Sequence, residues 1–303
     1  MERGNEISTG MSQQTIILEF MKGKVPQSIA EVERGTGILR PNIRRILGQG
    51  ALKGTFRRVA RGLYTLSTAD GKATAYIDMG EAQFKVDEIL KTGMAFDMVF
   101  LDCPYYSKAL VGGNRGIKQY EFITPADFYQ VCQAVRCLLR TDESRVYIML
   151  SGAPTALPDM KRYLQMAEAA GLNLVSEGTY TKTFKDGTPV TNVRGVPAAP
   201  ERLYLMTRSG SISGEATMHF RCIRPKGYST EKAKYLLRVL IEEATVAGGW
   251  VLDLFGGSGV CGEQAILSGR NCYILDKAKE AVEGYILPRI KQAIKTYNTL
   301  NKG

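Results

Sequence analysis

Residues 71–303 are expected to form a doubly wound α/β sheet, preceded over residues 1–70 by a small unit of three helices and a hairpin. Three observations lead there. Short, β-prone apolar runs closing on an acid recur at Ala75–Asp78, Phe96–Asp102, Val251–Asp253 and Asn271–Asp276. Segments with helical spacing lie between strand-like ones, as an alternating sheet requires. A glycine-rich turn, Gly256-Gly257-Ser258-Gly259, joins one of the runs to a helix, and open sheets of this kind take ligands at the carboxyl edge.

The amino-terminal elements follow from pattern and punctuation. Thr15–Met21, Ser28–Val32 and Arg40–Leu47 read as helices; Pro41 is acceptable in a first turn, where the N–H it lacks would have no intrahelical partner. Thr55–Leu66 reads as a hairpin with a basic tip. From Arg34 through Ala69 there are eight basic residues and no acid. Three helices and a basic hairpin resemble a winged helix-turn-helix, which offers Arg40, Arg44, Arg45, Arg57, Arg58 and Arg61 as a grip on DNA. A small packing or dimerisation module is the other reading, and a homodimer remains open on it. Ala69–Lys72 reads as the linker.

In the larger unit, Phe128–Leu139 and Met160–Ala170 have helical spacing and Arg145–Leu150 reads as a strand. Asn114–Tyr120, Gly-rich and basic, reads as a loop that either closes over a ligand or only connects. Lys277–Asn301 reads as a closing helix broken near Pro288.

Two segments carry chemistry. In Asp102-Cys103-Pro104-Tyr105-Tyr106 a strand delivers a carboxylate, and Pro104 biases the preceding residue toward extended geometry, holding the Cys103 carbonyl in place. Asp102 and that carbonyl can accept both hydrogens of an amine, and Tyr105 offers a ring on which a base can stack. A plain Pro-containing turn is the competing reading. The second segment, Gly249–Gly259, runs strand, acid, glycine loop and helix through Leu267, with a further acid, Asp276, after the next strand. Such a loop and helix start cradle a nucleotide or nucleoside, with the later acid placed for ribose hydroxyls. Gly257-Ser258-Gly259-Val260-Cys261-Gly262 also meets the dinucleotide fingerprint, so a nicotinamide- or flavin-dependent oxidoreductase is a rival.

Together the segments resemble the amino-group DNA methyltransferases that use S-adenosylmethionine, in which acid-Pro-Pro-Tyr marks the base site and Asp-x-Phe-x-Gly-x-Gly the cofactor loop. The base motif comes first here, which resembles the permuted β subgroup. Tyr228-Ser229-Thr230-Glu231-Lys232-Ala233 is similar to that family's His-Pro-Thr-Glu-Lys-Pro helix start, Tyr180-Thr181-Lys182 to its Trp-x-Lys strand, and Glu201-Arg202-Leu203 to its Glu-containing strand. The resemblance spans roughly Thr74 to Leu287 and implies a Rossmann-like methyltransferase domain. It implies a cofactor site made by Asp253, Phe255, Gly256, Gly257, Gly259, Asp276 and Asp78, with Thr230 and Lys232 at the methionine end. It implies methyl transfer to the exocyclic amine of a flipped base at Asp102, Cys103, Pro104 and Tyr105. Asp102 in first position favours N6 of adenine over N4 of cytosine. Cys103 departs from the family's proline; its backbone use is preferred to a thiolate role as in cytosine-ring methylation. An RNA or protein amine methyltransferase shares the chemistry, and a DNA-binding regulator would need only the first 70 residues.

Charge is unevenly placed. The formal net charge is +10; residues 1–70 carry 11 Lys/Arg against 6 Asp/Glu, and residues 178–228 carry 8 against 3, so the rest is balanced. Two basic surfaces suit a phosphate backbone. In the second, a small recognition segment at about 151–228, Lys182, Lys185, Arg194 and Arg202 are the candidate DNA contacts. Six cysteines without a C-x-x-C pair and a single histidine, His219, argue for reduced thiols and a metal-free reaction. No secretory signal or long apolar span is apparent, so the expectation is a cytoplasmic protein of bacterial or phage-like type, with no membrane partner.

Overall fold

The computed structural model describes residues 12–21, 27–52, 56–60, 63–66, 73–105, 122–191, 195–225 and 230–300. Tyr106, Asn114–Tyr120, Arg61, Arg194, the linker around Gly71, Tyr228 and Ser229 lie outside the described residues, as do the side chains of Arg57 and Arg58. The chain divides into two units, Met1–Gly71 and Lys72–Gly303.

The first unit runs α1 (Gln13–Met21), β1 (Gln27–Ser28), α2 (Ile29–Thr36), α3 (Arg40–Leu52), β2 (Phe56–Ala60) and β3 (Leu63–Leu66). Its strands form an antiparallel sheet in the order β1-β3-β2. Apolar residues at helical spacing make its core: Ile17 and Met21 from α1, Val32 from α2, and Ile43, Ile46 and Leu47 from α3. Arg44 and Arg45 are exposed on α3, and Arg40 pairs with Glu33.

The second unit begins with β4 (Ala75–Met79), α4 (Ala82–Lys91), β5 (Met98–Leu101), α5 (Pro125–Leu138), β6 (Arg145–Leu150), α6 (Leu157–Ala169) and β7 (Asn173–Thr183). It continues with β8 (Glu201–Thr207), β9 (His219–Ile223), α7 (Lys234–Ala244), β10 (Trp250–Asp253), α8 (Val260–Leu267) and β11 (Asn271–Asp276). The described strands form an eight-stranded sheet, β4-β11-β10-β5-β6-β8-β7-β9. From β4 to β6 neighbours are parallel; β8 lies antiparallel between β6 and β7, and β9 is parallel to β7. Residues 151–225 thus contribute α6 and three strands of the sheet.

Both faces are covered, which is why the central strands read as unbroken apolar runs. Val99 and Leu101 of β5 meet Phe128, Val131 and Val135 of α5 on one face, while Met98 and Phe100 meet the Leu237, Ile241 and Ile266 side on the other. At the amino edge Asp97 ties three segments together: its carboxylate accepts from Arg140 Nε at 2.8 Å and from the Trp250 N–H at 2.8 Å.

The carboxyl-terminal helix departs from expectation. It is not broken at Pro288; a turn at Lys279–Ala281 (α9) leads into a π-helical turn, Val282–Ile286, and then α10, Leu287–Leu300, with Pro288 in its first turn. A proline ring clashes with the carbonyl four residues back, and the wider π turn lets the helical path continue past it.

Gly178 of β7 lies beside Leu203 of β8, and a methyl group there would sit 1.8 Å from the Met218 carbonyl oxygen that accepts the Thr179 N–H. Gly178→Ala is therefore expected to destabilise by about 2–3 kcal/mol, the overpacking range, seen as a fall in Tm of about 4–10 °C by circular dichroism. An unchanged Tm would show that the strands have room.

Candidate functional site

The order of connections places the site. From β10 the chain moves outward to β11 on one side, and from β5 it moves to β6 on the other, so the sheet changes winding direction between these neighbours. A crevice at the carboxyl ends of strands opens at such a point. β5 and β10 pair in parallel with Asp253 opposite Phe100, which brings Asp102 and the loop after Asp253 to adjoining strand ends.

Asp102 is partly exposed, Cys103 is buried, and Pro104 and Tyr105 are partly buried. The segment turns tightly: the Tyr105 N–H donates to the Cys103 carbonyl at 2.9 Å, using one of its two lone-pair directions, and the Ile123 N–H donates to the Pro104 carbonyl at 2.9 Å. Tyr105 meets Tyr163 edge to face at 6.4 Å and is hydrogen-bonded to the Ser151 side chain. Tyr163 in turn donates to the Ile123 carbonyl at 2.7 Å. Burial, with Asp102 adding, pushes the Cys103 thiol well above its ordinary pKa, so it is held as a thiol and offers no thiolate nucleophile.

A charge chain runs from the motif acid. Lys232 Nζ lies 2.6 Å from Asp102 Oδ2 and 3.0 Å from Glu201 Oε2, and Glu201 Oε1 lies 2.9 Å from Lys182 Nζ. The Lys232 side chain is only 7% exposed, against 23% for Asp102. Burial works against its charge, but Asp102 and Glu201 prevail and raise the ammonium above its ordinary pKa. Glu201 is pushed up by burial, yet Lys232 and Lys182 hold it below the usual value. Asp102 is raised, by burial first, with Lys232 opposing and Glu201 reinforcing. Tyr180 closes the arrangement, because the Ala233 N–H donates to its hydroxyl at 3.1 Å just before α7.

The glycine loop faces this chain from β10. Asp253 is buried; its Oδ1 accepts the Phe255 N–H at 3.1 Å, and Cys261 hydrogen-bonds to it. Burial raises its carboxyl to about 7 despite the Phe255 N–H, with Asp102 and Asp276 adding repulsion. Gly257 and Gly259 have φ of 50° and 76°, the left-handed region that favours glycine, and Gly259 caps α8. Gly256 has another reason: a Cβ there would sit 2.4 Å from Ile274 Cγ2, so its absence seats the loop on β11. Asp276 accepts the Gly257 N–H at 2.7 Å and the Ala278 N–H at 2.8 Å, bracing the loop. Asp78, at the end of β4, accepts from the Tyr273 hydroxyl at 2.9 Å and lies 3.4 Å from Lys85; burial raises it, but the Met79 N–H, Tyr273 and Lys85 bring it below its ordinary value. Thr230 stands exposed two residues before Lys232.

Other candidates are spread more widely. Arg202 pairs with Glu177 at 2.7 Å and Lys185 is exposed in the turn after β7. Lys182 points into the charge chain, and Arg40, Arg44 and Arg45 belong to the other unit. Sequence reasoning missed Ser151 and the pairing of Lys232 with Asp102; Tyr180 and Lys182, two apart on β7, share a strand face, which was the available signal.

Comparisons with known proteins bear on the family and the fold. The profile of the family described as DNA methylase, the N6/N4 type, matches residues 96–287. M1.HpyAVI in its SAM complex superposes with a TM-score of 0.53 at 15% identity, over 73% of this chain and 99% of that one. The cytosine-N4-specific PvuII DNA methyltransferase superposes with a TM-score of 0.52 at 12% identity, over 76% of this chain and 93% of that one. At such identities the likeness establishes the fold. A comparison with curated protein sequences finds no match. The family profile spans more than half of the chain, from the strand before Asp102 to beyond the glycine loop, and the protein belongs to the N6/N4 DNA methylase family.

Proposed function

We propose that the protein is an S-adenosylmethionine-dependent DNA methyltransferase acting on the N6 amine of a flipped adenine. The observation that carries the reading is the pairing of β5 with β10, which sets Asp102 beside the Asp253–Gly259 loop. The loop suits the cofactor: backbone N–H groups of a glycine turn and the start of α8 face an edge lined by Asp253, Asp276 and Asp78. Gly256, Gly257, Gly259 and Phe255 would cradle the nucleoside, Asp276 would take the ribose, and Thr230 would lie toward the methionine end. When bound, the cofactor supplies a sulfonium methyl that passes to the nitrogen lone pair while the carbon–sulfur electron pair stays on sulfur.

The chain's own residues prepare that nitrogen. Asp102 and the second lone pair of the Cys103 carbonyl accept the amine hydrogens, which draws the lone pair out of conjugation with the ring. Pro104 fixes the turn, Tyr105 stacks the base, and Asp102 is the carboxylate within reach of the proton that the nitrogen sheds. An amide at position 102 would offer one acceptor and no charge. The first unit, with three helices and a β1-β3-β2 sheet, is read as a winged helix whose α3 grips DNA through Arg40, Arg44 and Arg45, with Arg57 and Arg58 of β2 as further contacts; Arg61 is a contact expected from the sequence. Lys185, Arg194 and Arg202 add a recognition surface.

Three outcomes test this reading. Labelled S-adenosylmethionine incubated with unmodified DNA, digested to nucleosides and read by mass spectrometry, is expected to yield N6-methyladenine; N4-methylcytosine would overturn the base assignment, and no labelled nucleoside the function. Asp102→Ala is expected to lose transfer by about 100-fold or more while retaining cofactor affinity in calorimetry. Arg44→Ala is expected to weaken DNA binding at every sequence and to reduce the slope of log K against log salt by about one phosphate contact; an unaltered slope would remove α3 from the interface.

Asp253 gives a pH signature in the protein without cofactor. Its folded carboxyl titrates near 7 and an unfolded aspartate near 4, so the fold binds an extra proton between those values and stability falls as pH rises through that window. Asp253→Asn removes the titration, so its Tm is expected to gain on wild type between pH 5 and pH 8; parallel curves would contradict the assignment.

A further inference from the structure

We propose that Lys232, steadied by Glu201, is the positioning residue that fixes Asp102 as the acceptor for the target amine. The inference rests on the methyltransferase reading above and assigns Lys232 to the base side of the site. Its ammonium is buried, and among the described residues it pairs with Asp102 at 2.6 Å and Glu201 at 3.0 Å. The contact is made to Oδ2 of Asp102, and in the proposed arrangement Oδ1 is the oxygen that meets an amine hydrogen. Lys182 binds the far oxygen of Glu201 at 2.9 Å, so Lys232 cannot swing away without leaving Glu201 underused in a confined place. The Ala233 N–H, one residue on, is anchored on Tyr180, which sets where the lysine enters.

The physical need is plain from the charges around Asp102. Burial and Glu201 from β8 disfavour its ionised form; Lys232, with Lys182 behind it, provides the opposing charge. With Lys232 donating to Oδ2, a proton on Asp102 would sit on Oδ1 and turn that oxygen into a donor, and a donor facing an N–H cannot orient it. Lys232 therefore sets both the protonation and the rotamer of the acid while touching neither reactant.

Lys232→Met and Glu201→Gln, each checked for fold by circular dichroism, separate this role from a structural one. For Lys232→Met the single-turnover methylation rate is expected to fall by about 100-fold or more. Its cofactor affinity by calorimetry is expected to stay within about threefold, since the remote contacts remain. The acid limb of the pH–rate profile is expected to move up by about one to three pH units, the effect of removing a neighbouring opposite charge. Methylammonium added to Lys232→Ala should restore part of the rate. Glu201→Gln removes a like charge from beside Asp102, so its acid limb should move the other way, and this readout stands if Lys232→Met fails to fold. A wild-type rate in Lys232→Met, an unmoved limb in Glu201→Gln, or a loss explained wholly by weaker cofactor binding would overturn the inference. Wild-type protein that methylates no DNA would instead overturn the functional reading.

Discussion

Two carboxylates at the ends of neighbouring parallel strands impose the constraint on which this site depends. β5 and β10 carry Asp102 and Asp253 to the same edge, where the apolar sheet beneath them and their mutual repulsion both disfavour a double negative charge. The chain answers the two acids differently. Asp102 receives a buried cation, Lys232, whereas Asp253 receives the Phe255 N–H and a carboxyl pKa near 7. Both carboxyls lie above the ordinary carboxylate value, and acids perturbed by burial and a specific partner are a usual mark of chemistry rather than of support.

The strands beyond β6 serve that division. β8 supplies Glu201 at its first residue and β7 supplies Tyr180 and Lys182 from one face, so the antiparallel pair acts as a bracket behind Lys232. Lys232 itself is delivered by the segment leading into α7, whose Leu236, Leu237, Leu240 and Ile241 are buried against the sheet. A shift in the β7–β8 register would move the whole bracket, and on its other side β7 is held to the start of β9 by the close fit of Gly178 against the Met218 carbonyl. Packing far from the edge is in this way tied to the placement of charge at it.

Much of this was legible in the chain because it is written locally. An apolar run followed at once by Asp102 or Asp253 reads as a strand delivering an acid, and Gly257 and Gly259 announce a turn with left-handed residues before a helix. What sequence could not yield depends on side chains meeting across the fold. Lys232 looked like part of a helix start, and only the convergence of α7 with β5 and β8 turns it toward Asp102 and Glu201. That Gly256 also has a packing reason, the approach of Ile274 Cγ2 from β11, needed the fold to be seen. Pro288 looked like a break, because proline rules describe α-helices and say nothing of a π turn placed ahead of it.

The central claim is that one crevice holds both the methyl donor and the amine that receives it. A crystal structure of the protein with sinefungin and a DNA duplex tests this most directly. The account predicts a nucleobase rotated out of the helix, its exocyclic nitrogen within hydrogen-bond reach of Asp102 and the Cys103 carbonyl, and the cofactor analogue against Gly256–Gly259. Sinefungin lodged away from that loop, or an extruded base with no contact to Asp102, would contradict it.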